Sequence, residues 1–278
     1  MLLRVYGVGC DQLLDRNKEL NWLSHLSQLN IGPKMLATFG NGRLEEYLPS
    51  TTLTSQDIRN TRISAQIASR LHQLHSIVQI FPPDEAFDEP LNVWTMIEKW
   101  YTTLVDILPQ LNSIYPELNL DLIELREKID ACKTFLSKSD SPIVFAHNDA
   151  QYGNILKIEG SNELVVIDFE YAGYNPRAYD IVNHFCEWMY DYHSTTHPTC
   201  QMIEERYPTK EEQLNFLSSY LNHTQNQEEI EAAYEEVNQW RMTSHLFWSL
   251  WGFVQASQSE IEFDYYAYSK QRLAAFEK

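Results

Sequence analysis

Three short apolar runs, at residues 143–146, 155–158 and 164–169, form an island of strand character inside a chain that otherwise reads as helical from residue 54 onward. Polar loops separate them. The first loop reads His147-Asn148-Asp149-Ala150-Gln151-Tyr152-Gly153-Asn154, and the third run carries Asp168 near its end. Apolar strands this short must be covered by helices, which leaves their loop side chains gathered at one rim. The island therefore restricts the chain to a mixed architecture, with helices supporting a small sheet and polar groups collected in a cleft.

The first fifty residues differ from the rest. Residues 2–6 read as extended, 15–29 as a helix, and 36–39 and 43–48 as strands, with Asn41-Gly42 as the hairpin turn because both residues tolerate positive φ. Pro49 and the polar run 50–55 close this unit. Thr54 with Asp57 then resembles a capping box, and Ile63, Ile67, Leu71, Leu74 and Val78 follow at helical spacing. Helices run to about residue 137, interrupted at Pro82-Pro83, Pro90, Pro109 and Pro116. The expected fold is α+β and two-lobed: a small antiparallel sheet lobe at 1–49 and a mainly helical lobe at 50–278, with the chemistry between them.

Charge and cysteines exclude several functions. The chain has 21 Lys and Arg against 39 Asp and Glu, a formal charge of -18, so it holds no excess of cations with which to grip nucleic acid or an anionic membrane. Cys10, Cys132, Cys186 and Cys200 are scattered, without metal-site spacing, as expected of reduced thiols in the cytoplasm. Arg4 stands where a secretory signal would be apolar, and the longest apolar stretch, near residues 246–256, is too short to span a bilayer.

Asp149, Asn154 and Asp168 are the candidate chemical groups. Any one of them alone would be read as a turn cap or a strand end. Together they supply what phosphoryl transfer needs: a carboxylate to orient an attacking hydroxyl, assigned to Asp149, and oxygen ligands for Mg2+, assigned to Asn154 and Asp168. His147 is read as orienting the loop.

The run from His147 to Leu156 with the downstream Ile167-Asp168-Phe169-Glu170 resembles the signature shared by protein kinases, aminoglycoside phosphotransferases and choline/ethanolamine kinases. The continuation through Tyr171, Tyr174-Asn175-Pro176-Arg177 and Asp180 to Tyr192 is most similar to choline kinases, as are the N-terminal Leu2-Leu3-Arg4-Val5-Tyr6-Gly7, the Gly42 to Pro49 segment and the Ser244 to Trp251 segment. The resemblance implies a protein-kinase-like fold and ATP-dependent phosphorylation of choline, with ethanolamine as a second acceptor left open, in a cytoplasmic protein with a homodimer among the family's expectations. It implies that Arg4, paired with Glu19, contacts the nucleotide phosphates, and that the hinge residues Glu46, Tyr47 and Leu48 meet adenine through their backbone.

A quaternary ammonium has no N–H to donate, so aromatic faces and a nearby carboxylate must recognise it. Trp248 and Trp251 share a helix face, and the resemblance adds Tyr171, Glu187, Tyr192, Phe263 and Tyr268 to the acceptor pocket. A Trp pair at that spacing read alone is core packing. Family members carry a phosphate-covering loop ahead of the Leu2-Leu3-Arg4 strand, and the chain is expected to lack it. Three readings stay open from sequence: a choline kinase, a kinase of another amino alcohol or an aminoglycoside, and a silent kinase-fold binding or dimer-partner protein.

Overall fold

The computed structural model describes residues 1–6, 16–83 and 92–278. Gly7, Cys10, Asp15 and Pro90, on which sequence readings fell, lie outside the described residues. Strands β1 (Leu2–Val5), β2 (Met35–Phe39) and β3 (Gly42–Glu45) form an antiparallel sheet in the order β1-β3-β2, and helix α1 (Arg16–Gln28) lies between β1 and β2 in sequence. The hairpin turns one residue earlier than expected: Phe39 already faces Gly42, so Gly40 and Asn41 make the bend. Gly42 is needed for close approach, because a Cβ there would sit 2.3 Å from the carbonyl oxygen of Arg4.

The polar run after Pro49, read as punctuation, contains a strand. β4 (Ser50–Thr52) pairs antiparallel with β6 (Ile155–Ile158), which pairs in turn with β7 (Leu164–Val166). A second strand absent from the sequence reading, β8 (Gly173–Pro176), pairs with β5 (Ile143–Ala146). The Thr54–Asp57 capping box forms, with Thr54 Oγ1 donating to Asp57 Oδ2 at 2.7 Å, but it opens only a short 3-10 turn. Helix α2 (Thr61–His75) starts later, at Asn60, whose side chain accepts from the backbone N–H groups of Arg62 and Ile63.

The body is helical. After α2 come α3 (Asn92–Ile114), α4 (Leu122–Leu136), α5 (Arg177–Glu187), α6 (Lys210–Tyr220), α7 (Gln227–Gln239), α8 (Arg241–Gln258) and α9 (Tyr265–Phe276). Pro109 does not break α3 as expected. The carbonyl it deprives of a partner is that of Val105, an exposed residue whose oxygen water can satisfy. One apolar core joins α2, α3, α5 and α8 through Ile67, Leu71, Ile97, Trp100, Phe185 and Phe247, each buried side chain stabilising by roughly 1.5–3 kcal/mol. A second core packs Trp22, Leu23 and Leu26 of α1 onto Phe145, Val166 and Phe169 beside the loops that follow β5 and β7. α8 and α9 run close because of Gly252, where a Cβ would stand 2.3 Å from Ser269 Oγ.

Candidate active site

Asp149 sits in the loop after β5, and a buried polar network fixes that loop. Asp180, in the first turn of α5, accepts from the backbone N–H of His147 at 2.9 Å and of Asn148 at 2.7 Å, and contacts His75 Nε2 at 2.8 Å. Asn148 adopts φ 67°, a strained conformation held from three sides. Its Nδ2 donates to Tyr171 O, its Oδ1 accepts from Asn175, and its carbonyl accepts from Asn183. His147 is fully buried and burial pushes its pKa down, so the ring is neutral. Its Nε2 donates to Ile167 O at 2.9 Å while Nδ1 accepts from the Asp149 N–H at 3.2 Å. It ties the two chemical loops together.

Asn154 Nδ2 donates to both the carbonyl oxygen and Oδ2 of Asp149, each at 2.9 Å. Burial drives the Asp149 carboxyl well above the usual carboxylate range, and the negative charges of Glu187, Glu170 and Asp168 push the same way. Asp168 follows β7 with φ 67°. Because the Asn154 nitrogen is committed to Asp149, its oxygen is the end left for a cation. Asn154 oxygen and Asp168 carboxylate are hard oxygen ligands, which fits magnesium, an ion that keeps several waters and takes few protein ligands.

The expected Arg4–Glu19 pair is replaced by another arrangement. Arg4 meets Glu45 at 3.1 Å and Asp168 at 3.4 Å, whereas Glu19 is held by Arg43 at 2.7 Å. Arg43 also contacts Glu45 at 2.5 Å and is almost completely buried. The reason is register: Arg4 and Arg43 face each other across β1 and β3, so their side chains share a sheet face, and Arg43 belongs to the central strand. Of the expected hinge, Glu46 and Leu48 line a cavity of about 340 Å³ together with α2 and β7, while Tyr47 is exposed.

A second cavity of about 230 Å³ is lined by Tyr171, Glu187, Tyr192, Trp248, Trp251, Phe263 and Tyr268, and Asp149 is part of its wall. All seven residues assigned to the acceptor pocket therefore meet at one place, with Gln151, Glu170 and Tyr265 added. The two indoles stand edge to face, centroids 5.2 Å apart. Their N–H groups are satisfied, Trp248 by Asn183 at 2.7 Å and Trp251 by the Tyr171 hydroxyl at 2.9 Å, which leaves ring surface for a ligand. Burial first, and carboxylates second, push the Tyr171 and Tyr192 phenols well up, so both stay neutral.

Asp180, Arg43 and Arg272 escaped the sequence reading, since a charged residue on a helix or strand is ordinarily solvated. One signal was present: Tyr265, Tyr268 and Arg272 fall on one face of α9 at helical spacing, the face toward the cavity.

A small antiparallel sheet ahead of a helical body, with carboxylate and amide oxygens collected where their loops meet, is the architecture of a protein-kinase-like phosphotransferase. The chain matches the choline/ethanolamine kinase family over residues 1–277 and belongs to it. It is 37% identical over 288 residues to human choline/ethanolamine kinase, covering 98% of this chain and 70% of that one. It is 36% identical over 279 residues to a probable choline kinase of Arabidopsis thaliana, with 99% and 77% covered. Among solved structures it superposes on Plasmodium vivax ethanolamine kinase with a TM-score of 0.81 at 27% identity, over 99% of this chain and 75% of that one. Among the described residues, no helix is long and apolar enough to cross a membrane.

Proposed function

We infer that this kinase transfers the terminal phosphoryl group of ATP to the hydroxyl of choline, with ethanolamine as a poorer acceptor. The observation that carries this reading is the position of Asp149 in the wall of an aromatic, acid-lined cavity, which brings the group that orients a hydroxyl within one cavity of the faces that hold a cation. Asp149 aligns the hydroxyl and takes its proton as the oxygen attacks phosphorus, and its raised pKa makes it a stronger base than an ordinary carboxylate. Asn154 and Asp168 would hold magnesium, whose contribution when bound is to neutralise phosphate charge. Arg4, the partly exposed partner of Asp168, would meet the phosphates, and Glu46 to Leu48 would meet adenine.

The cavity is smaller than those that hold drug-sized ligands, which speaks against an aminoglycoside. Among the described residues three cysteines are free and buried, in keeping with the cytoplasmic placement proposed here, and light scattering on the purified chain would test the homodimer expected of the family. ADP release in the presence of choline, ethanolamine and an aminoglycoside tests the acceptor. Choline is expected to give the highest kcat/KM, and turnover of an aminoglycoside alone would overturn the reading.

A further inference from the structure

Arg272 is completely buried in α9, directly behind the cavity wall. Its Nη2 donates to Glu187 Oε1, while the other carboxylate oxygen, Oε2, accepts from the Tyr192 hydroxyl at 2.7 Å. The guanidinium carbon lies 4.5 Å from the Tyr190 ring and 5.2 Å from that of Tyr268, and Nη1 reaches His245 Nδ1 at 3.4 Å. Thus one cation stands behind three cavity-lining residues, Glu187, Tyr192 and Tyr268. Of the carboxylates that line the cavity, Glu187 is thus charge-paired, and each of its oxygens has a donor.

That pairing affects two kinds of cation differently. A quaternary ammonium is held by ring faces and diffuse charge, and it gains nothing from a vacant lone pair. A primary ammonium is compact, strongly hydrated and carries three N–H donors, so entering the cavity requires acceptor oxygens to replace its water. We propose that Arg272 is a positioning residue that makes the site prefer a quaternary over a primary ammonium, by occupying and neutralising Glu187 while fixing the aromatic faces beside it. This rests on the cavity being the acceptor site.

The test compares the ratio of kcat/KM for ethanolamine to that for choline in the natural chain, Arg272→Met and Arg272→Lys. Arg272→Met is expected to raise the ratio about tenfold, the worth of one charge-assisted hydrogen bond gained by the primary amine. Arg272→Lys, which keeps the charge, leaves the ratio close to that of the natural chain. Equal losses for both acceptors with an unchanged ratio would show a merely structural role and overturn the proposal. Should Arg272→Met fail to fold, Tyr192→Phe frees Oε2 while keeping the ring and must shift the ratio in the same direction; no shift overturns the proposal as well. Quenching of tryptophan fluorescence by tetramethylammonium and by methylammonium reads the same preference without turnover. A chain that phosphorylates neither acceptor, yet loses its preference for tetramethylammonium in Arg272→Met, supports the role of Arg272 and removes the proposed reaction instead. A preference that Arg272→Met leaves unchanged overturns the role of Arg272 whatever the activity.

Discussion

The amide nitrogen of Asn154 grips Asp149 twice, at its main-chain oxygen and at its carboxylate, both at 2.9 Å. One side chain thereby fixes where the carboxylate stands and lowers the cost of its ionisation, against burial and three neighbouring acids. Asn154→Ala removes the hydrogen bond that favours the charged form, so the acidic limb of the kcat profile is expected to move to higher pH. The measurement is kcat against pH for both proteins, and an unmoved limb would separate Asn154 from the ionisation of Asp149.

The natural chain should show two different acidic limbs. In the unliganded protein the Asp149 carboxyl is raised, and a bound cation adds opposite charge that favours ionisation. The limb of kcat/KM, which reports the free form, is therefore expected at higher pH than the limb of kcat, which reports the complex. Coincident limbs would mean that the acceptor's charge lies out of reach of Asp149.

Asp149→Asn should trade activity for stability. A carboxyl whose folded pKa is raised contributes stability that is present below its unfolded pKa and lost as pH rises through the folded value, so at neutral pH the ionised group is a liability. The amide removes it. Thermal melts at pH 7 should show Tm higher by roughly 2–4 °C for each kcal/mol recovered, and melts near pH 3 should show little difference.

Asp180 carries the opposite sign. Burial alone would raise its carboxyl, but the hydrogen bond from His75 and the backbone N–H of His147 outweigh it and hold the pKa below the usual value. Its stabilisation is present above the unfolded pKa near 3.9 and disappears as pH falls through the lower folded value. Asp180→Asn is expected to cost about 3–5 kcal/mol near pH 6, as for a broken buried pair, with the gap to the natural chain closing below about pH 4. Chemical denaturation across that range checks it.

The two arginines of the N-terminal sheet should separate cleanly. Arg43→Met removes the buried cation that Glu19 and Glu45 share and is expected to destabilise by about 3–5 kcal/mol. Arg4→Met removes a partly exposed contact, costing about 1 kcal/mol or less in stability, while raising the KM for ATP. Equal destabilisation by the two would contradict the division of roles between them.

Period and composition made the inner part of the fold legible. β5 and β6 fall at the residues their apolar runs mark, because Ile, Val, Leu and Phe in short runs bounded by polar loops favour the extended backbone. β4 and β8 did not show, since Ser-Thr-Thr and Gly-Tyr-Asn-Pro have turn composition and become strands only because β6 and β5 offer them open edges. The same division holds at the site. That Asp149, Asn154 and Asp168 lie near one another was readable because three oxygen-bearing side chains at the ends of short apolar runs are rare in conjunction. The Arg43–Glu19 pair was misassigned to Arg4 because two arginines in register on neighbouring strands differ only in which strand is central, and that is a tertiary fact. Arg272 drew no reading from sequence, because its burial exists only where α9 packs into the body.

The central claim is that Asp149 serves a choline-phosphorylating site, and mass spectrometry of the reaction mixture tests it most directly. The purified chain is incubated with ATP, magnesium and either choline or ethanolamine, beside an Asp149→Asn control. Phosphocholine in excess of phosphoethanolamine, with the control at least about 100-fold slower, is the expected result. Phosphocholine formed at the same rate by Asp149→Asn, or no phosphorylated product from either acceptor, would contradict the account.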